Sequence, residues 1–505
     1  MRAHRRWHLA AVAAVALLVH AQAFLAPFQF DDWDAILESE GVTGGQTFPA
    51  FLRGMLTDPL LFLQRPLTVL TYRIDWVLWA SAPDAPLDVD ADAVVRGPPA
   101  FGFHVTQVLL TVLCAALAWA LGTFLGAPPL ACMAGALAVC VHPLSAASAC
   151  YLSGRSTLGV EIGMLLALCG AVAPGGAWRV GSRIALGCAI AALSKPDGLV
   201  SIPVALLARA WARPDTTWLG RPARSVAIVV LLCVALGGGF AWDREARQYD
   251  RETLVRQMRP RPAVAARYAS WLFLPTGLTV DSGYPPAELA RPFPTFAALA
   301  LVALGLAAHR AAREGMMLVA LAWAPALLLP LLDPGFPYRA AAGLPALAWF
   351  VARSGSCARR AVLLALLPWA AWCVSHEATW SDGRRLWVAA IVCNPHQARA
   401  HNNAAWHEQR LGERHLAQLR RSSERGYALS RDGWFPDARH RATAASYLGN
   451  LCAEAGRVEE AAGRREAARA WYEAAARYFE ESLSYNGNQP HVVRSLEQIR
   501  RMLRE

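Results

Sequence analysis

The feature that most constrains this chain is a series of long apolar runs separated by short loops that carry arginine. A run of about 20 apolar residues crosses the ~30 Å hydrocarbon core of a bilayer as a helix. Inside that core every backbone N–H and C=O must find a partner within the protein, which a helix provides by itself. A chain made of many such runs folds as an all-α, multi-pass membrane protein. Composition agrees: hydrophobic residues fill 55% of the 505 positions and charged residues 17%, against about 25% charged in a soluble domain. A soluble enzyme and a disordered chain are both excluded. The net charge of +11 would suggest nucleic acid in a soluble protein. Here the basic residues lie mostly between apolar runs, so the charge reports membrane orientation, and no nucleic-acid partner is expected.

The basic start, Met1 to Arg6, followed by an apolar stretch from Trp7 to about Pro27, reads as a signal anchor with its basic end in the cytoplasm. Further spans are expected at roughly 101–123, 129–150, 157–173, 180–194, 197–210, 225–241, 295–309, 315–332, 338–352 and 361–376, about eleven in all. This arrangement gathers Arg2, Arg5, Arg6, Arg179, Arg183, Arg209, Arg213, Arg221, Arg224, Arg310, Arg313, Arg353, Arg359 and Arg360 on the inside. The short outside loops then hold only Arg155, Lys195 and Arg339, exceptions that need a reason. Two long outside loops follow, 28–100 and 242–294, and the first contains an amphipathic stretch at about 64–80. Lys195 is the one lysine among 49 basic residues. The 11 cysteines form no CxxC pair, and Cys114, Cys132, Cys140, Cys169, Cys188 and Cys233 fall inside apolar runs as small hydrophobes, so no metal set is expected.

From about residue 380 the chain turns polar and rich in Ala, Arg and Glu. Gly412 to Ala417 and Gly456 to Ala461 repeat a five-residue step found in tetratricopeptide repeats between the turn and the second helix. The two glycines lie 44 positions apart rather than the repeat's 34. Ala470–Leu483 reads as a further helix. The expected division is therefore a membrane domain at 1–379 and a tetratricopeptide-like helical domain at 380–505, placed by the odd span count on the non-cytoplasmic side. A generic helical tail is the plainer alternative.

The candidate chemistry gathers at the outer ends of the spans. Asp31 and Asp32 follow the first span directly. A carboxylate there can take the proton of an incoming hydroxyl, or it can cap a helix, with Asp34 three residues on. His142, beside Pro143, reads as a hydrogen bonder, and Arg155 as a charge snorkelling to the interface. Lysine binds phosphate as a point charge and arginine as a fork. With Arg65, Arg155, Lys195 and Arg339 at the outer mouth beside two acids, the substrate expected carries a phosphate and a transferable group. No Gly-rich nucleotide loop is present.

These residues also follow an order. Asp31-Asp32, Arg65-Pro-Leu-Thr with Thr71-Tyr72, Phe103-His104, His142-Pro-Leu, Gly154-Arg155, Ser194-Lys195 and Pro203 occur in sequence. So do Tyr268, Pro275 and Leu278, then Trp380 and Trp387 leading into Asn394-Pro395. The chain thereby resembles the transmembrane-and-TPR-repeat O-mannosyltransferases and their bacterial relatives. The resemblance implies a GT-C glycosyltransferase fold. It implies transfer of a sugar, such as the hexose mannose, from a polyprenyl-phosphate carrier to a hydroxyl of an exported protein or glycan.

It further implies that Asp31, or else Asp32, is the catalytic acid/base residue, with Asp31 favoured. Lys195, Arg155, Arg65 and Arg339 are then expected on the donor phosphate, with His142, His104 and Tyr72 in support. No cofactor is expected beyond the lipid-linked donor, and a divalent metal is left open. The expected partners are the donor, membrane lipids and an acceptor protein or peptide held by the repeats. The expected place is a bacterial inner membrane, with 380–505 in the periplasm; an ER membrane is the alternative. Departures from the family are Pro196-Asp197 after Ser-Lys, Phe336-Pro-Tyr338 beside Arg339, and a short repeat region. The competing functional readings are a non-catalytic membrane scaffold and a transporter, the latter disfavoured because the ionisable residues sit at span ends.

Overall fold

The computed structural model describes residues 2–43, 49–50, 53, 65–79, 100–213, 261–281, 310–328, 337–409, 416–432, 438–487 and 489–504. Among these residues every regular element is a helix. The chain forms two compact units, Met1–Leu278 with Arg291–Ser381, and Thr279–Ala290 with Asp382–Glu505.

In the first unit, helix α1 (Arg2–Val19) is followed by a 3-10 turn at Ala21–Leu25 and a single π turn at Trp33–Leu37. Helix α2 (Pro66–Trp79) is the amphipathic stretch, buried through Thr68, Tyr72 and Asp75. Then come α3 (Ala100–Phe124), α4 (Pro129–Val141), α5 (Pro143–Cys150), α6 (Arg155–Val172), α7 (Ala177–Ser194) and α8 (Ser201–Ala212). Helices α9 (Arg261–Phe273), α10 (Arg310–Leu328), α11 (Leu344–Arg353) and α12 (Ser356–Trp380) complete it.

Among the described residues three helices are long and apolar enough to cross a membrane: Ala100–Phe124, Leu152–Val172 and Ser356–Trp380. Helices α4 and α5 make a fourth if they are one broken span, bent by 55°. The count is lower than the eleven expected, and the reasons are local. The expected span at 129–150 breaks at His142, where Pro143 starts a new helix and has no N–H to continue the old one. The span at 197–210 splits into a 3-10 turn at Pro196–Val200 and the 12-residue α8, which rises only about 18 Å. The span at 338–352 likewise splits into a 3-10 stretch at Pro337–Gly343 and the 10-residue α11. Helix α7 spends part of its 18 residues on Arg179 and Arg183. The spans expected at 225–241 and 295–309 lie outside the described residues, as does most of both long outer loops.

Burial distinguishes centre from edge. The span window of Leu152–Val172 is 89% buried and that of α12 only 17%, with Leu364 and Leu367 facing outward. Helix α6 is therefore the packed centre and α12 a peripheral helix among the described residues. Small residues let α6 and α7 approach closely. A side chain at Gly163 would strike the backbone of Gly187 and Ala191, and one at Gly187 the backbone of Ala167. Such small-residue seams are how helices pack without a hydrophobic driving force between them.

The second unit contains α13 (Gly383–Cys393), α14 (Ala398–Gln409), α15 (Leu416–Asp432), α16 (Ala438–Ala461), α17 (Arg465–Tyr485) and α18 (Pro490–Met502). Each packs chiefly on its neighbours in sequence, as stacked helical hairpins do. Its core joins Tyr472, Ala475 and Phe479 of α17 to Val492, Leu496 and Ile499 of α18. Asp281, just after the first segment, accepts hydrogen bonds of 2.8 Å from Gln397 and Arg399. Gly456 sits inside α16, not at a turn: a Cβ there would lie 2.4 Å from the Tyr472 ring. The turn glycine is Gly463, whose φ of +76° ends α16 in the left-handed region. Gly412 lies outside the described residues.

Candidate functional site

The two adjacent carboxylates after the first apolar helix have opposite fates. Phe30, just before them, adopts φ 52°, a left-handed conformation that costs a non-glycine residue energy and recurs at functional sites. The turn it makes sends Asp32 inward and leaves Asp31 outside. Asp32 is fully buried. Its carboxylate accepts from the Gln29 amide at 2.9 Å, and from the Ser153 amide and hydroxyl at 2.7 Å each. It makes no side-chain cap to its own π turn, so it does not serve as the N-cap that the pair also suggested. It staples the outer loop to the 3-10 turn at Leu152–Gly154. Asp31 is exposed, and its Oδ2 accepts from the Tyr151 hydroxyl at 2.7 Å. The Tyr151 ring is in turn fixed by stacking on Trp380, centroids 5.6 Å apart. Asp31 is thus an accessible carboxylate on a rigid post.

Burial pushes the Asp32 carboxyl up to about 7, against the pull of its three hydrogen bonds and with a further push from Asp31. A raised carboxyl pKa means that the folded chain binds this proton more tightly than the unfolded chain does. The contribution of Asp32 to stability is therefore fullest at low pH. It falls as pH rises from about 4 to about 7, and is flat above. Melting curves of wild type and Asp32→Asn across this window test it: their difference is expected to shift against wild type as pH rises. A difference that is flat, or that grows in favour of wild type, rules the assignment out.

Arg155, expected on a donor phosphate, is instead consumed by the protein. It is 2% exposed. Nε donates to Gln107 Oε1 at 2.9 Å, Nη2 to the Phe103 carbonyl at 2.8 Å, and Nη1 to Asp75. The guanidinium lies 4.6 Å from the centroid of the Tyr72 ring. Every nitrogen is committed, so Arg155 is a scaffold residue. Asp75 also accepts from Thr106 at 2.6 Å. Tyr72 donates its hydroxyl to the Leu152 carbonyl. His104 is buried with Nδ1 3.4 Å from the Ala149 carbonyl. His142 caps α5, its Nδ1 accepting from the Leu144 amide at 3.1 Å while Nε2 faces the Leu272 carbonyl. The side chains of Tyr72, His104 and His142 are all buried and hydrogen-bonded within the described residues.

The other three cations come together. Lys195 closes α7, nearly buried, with Nζ 2.9 Å from Asp197 Oδ2. Burial lowers its pKa to about 8; Asp197 opposes this, while Arg339 and Arg65 reinforce it. Burial pushes the Asp197 carboxyl up, but Lys195 and then Arg339 outweigh it and hold the group below its usual range. Asp197, two positions beyond the lysine, is its ion-pair partner. Arg65 is exposed, holds φ 58°, and reaches Ser156 Oγ at 3.5 Å. Thr68, one turn on, donates to the Ser194 carbonyl at 2.9 Å and so ties α2 to the lysine hairpin. Lys195 and Arg339 both act on the Asp197 carboxylate and Arg65 acts on Lys195, so three cations lie within electrostatic reach of one another, a concentration of positive charge suited to an anion.

Tyr151, Ser153, Gln107 and Asp75 are site residues that the sequence motifs do not single out. Tyr151 and Ser153 lie between the His142-Pro-Leu and Gly154-Arg155 motifs, and Asp75 lies one turn from Tyr72 on an amphipathic helix; those neighbourhoods are the signal that marks them. Comparison with family models, with curated proteins and with solved structures returns no match to this chain.

Proposed function

We propose that this chain is an integral-membrane glycosyltransferase of the GT-C kind, which moves a sugar from a polyprenyl-phosphate carrier to a hydroxyl of an exported protein or glycan. One observation carries the reading. An exposed carboxylate, Asp31 on its Tyr151 post, and a cluster of three cations, Lys195, Arg65 and Arg339, are both attached to the segments that meet around the start of α6. A lipid phosphate leaves readily when cations neutralise its growing charge, so the reaction needs no separate general acid. Asp31 then takes the proton of the acceptor hydroxyl as that oxygen attacks the anomeric carbon. Tyr151 holds the carboxylate in place, and the buried Asp32 holds the loop that presents it.

In this reading the first unit is a multi-pass GT-C-like bundle in a bacterial inner membrane. The helical hairpins of the second unit are tetratricopeptide-like and bind the acceptor in the periplasm. Mass spectrometry of exported proteins from deletion and wild-type cells is expected to find a hexose mass lost on deletion; identical glycan masses argue against the reading. Lys195→Ala is expected to weaken donor use by about 10- to 100-fold, the value of a charge-assisted hydrogen bond, with far less effect on melting temperature. Unchanged donor dependence together with lowered stability makes Lys195 structural.

A further inference from the structure

Three unlike ligand atoms converge where the broken pair α4–α5 meets the ends of α1 and α12. His20 Nδ1, Cys373 Sγ and a Glu377 carboxylate oxygen all lie within 4.8 Å of one another, and all three residues are buried. Cys373 and Glu377 are one helical turn apart on α12, so both side chains leave the same face. The transfer chemistry uses none of them.

The surrounding hydrogen bonds prepare His20 as a ligand. Its Nε2 lies 2.7 Å from the Cys140 carbonyl, a pure acceptor, so Nε2 carries a proton. In the neutral imidazole the Nδ1 lone pair then points at the Glu377 carboxylate, with which it is in close contact. A lone pair and a carboxylate oxygen repel unless a proton or a metal ion lies between them. Metal-ligating histidines donate their other N–H to a carbonyl or carboxylate in this way, which fixes the tautomer and the ring. The Ala23 amide and His20 both act on the Glu377 carboxylate, yet its second oxygen, Oε2, is buried without a well-aligned hydrogen bond among the described residues, which leaves it room for a further cation. Ser145 Oγ lies 3.8 Å from Cys373 Sγ. The thiols of Cys140 and Cys150 are near enough to interact electrostatically with Cys373, and that of Cys150 with Glu377 as well.

We infer that His20, Cys373 and Glu377 form a binding site for a divalent transition metal of the zinc class. Thiolate, imidazole and carboxylate are zinc's ligands, whereas magnesium and calcium require oxygen throughout. The metal's role is structural. Glu377 lies one turn before Trp380, on which Tyr151 stacks, and Cys150 directly precedes Tyr151. A bound ion therefore clamps the end of α1 to α12, beside α5 and behind the post that carries Asp31. The site stands whether or not the chain transfers a sugar.

Full-length protein purified in detergent without chelator is expected to hold about one zinc per chain by elemental analysis. Exchange for cobalt is expected to produce thiolate-to-cobalt charge-transfer absorption, which a metal-free His–Glu ion pair does not give. Cys373→Ser is expected to remove that band and to weaken metal retention by at least about tenfold. Cys357→Ser, at an exposed position of the same helix, leaves both intact. If Cys373→Ser fails to fold, titration of the wild-type protein with chelator decides the question, through the expected drop in melting temperature. Protein with no bound metal, no cobalt band and no response to chelator overturns the inference and leaves a buried His20–Glu377 ion pair. Metal retained by folded Cys373→Ser overturns it equally.

Discussion

Asp31→Asn is expected to slow sugar transfer by ~100- to 10,000-fold, the usual loss when a general base is removed, while donor binding and folding persist. The side chain is exposed, and its Oδ2 accepts from the Tyr151 hydroxyl. Asparagine keeps an oxygen that can accept that bond and loses the basicity of the carboxylate. Asp32 behaves differently. Three donors converge on it in a fully buried site, and the asparagine NH2 group cannot accept from all of them. Asp32→Asn therefore acts through stability, since a buried donor left without its acceptor costs about 1–3 kcal/mol. Single-turnover transfer from a lipid-linked donor, measured beside donor binding and melting temperature, separates the two. Near-wild-type transfer by Asp31→Asn, with a folded but inactive Asp32→Asn, swaps the roles. Near-wild-type transfer by the double variant ends the proposed mechanism.

The helical architecture was legible because membrane burial writes itself into long stretches of sequence: α3, α6 and α12 follow their apolar runs closely. The breaks were less legible. Pro143 and Pro196 stand in the sequence, yet whether a proline kinks a span or ends it depends on what satisfies the freed carbonyls. At Pro143 the freed Cys140 carbonyl accepts from His20 Nε2 at 2.7 Å, 120 residues away, and from Ser145 Oγ at 2.9 Å, while the His142 side chain caps the new helix. The candidate site divides along the same line. Arg155 and Lys195 look alike in the sequence, single cations in short loops. What separates them is Asp75 and Gln107, 80 and 48 residues from Arg155, which absorb its charge and hydrogen bonds. Asp31 and Asp32 are neighbours whose difference comes from Ser153 and Tyr151, on a turn about 120 residues downstream. The histidine, cysteine and glutamate cluster escaped notice for the same reason, although Cys373 and Glu377 at i and i+4 already shared a helical face.

Arg155→Met is expected to destabilise the first unit by about 3–5 kcal/mol, because it leaves the Asp75 carboxylate buried without its counter-charge. Asp75 is 1% exposed, and burial already pushes its carboxyl up although Arg155 and Thr106 oppose the shift. The substitution also leaves Gln107 Oε1 and the Phe103 carbonyl without the donors that Arg155 supplied, and it removes the guanidinium from the Tyr72 ring. Because the loss arises mainly from an uncompensated charge, removing the charge should restore stability. The double variant Arg155→Met with Asp75→Leu is expected to recover most of the melting temperature lost by the single one, as replacing a whole buried ion pair by apolar groups of similar size is often neutral. Asp75→Leu alone should fail as Arg155→Met does, since it strands the guanidinium in turn. A phosphate ligand predicts the reverse pattern. Arg155→Met would then fold normally and require more donor to reach half-maximal rate, and the second substitution would restore nothing. Melting temperature and donor dependence measured on these three variants therefore decide whether Arg155 holds the fold or the substrate.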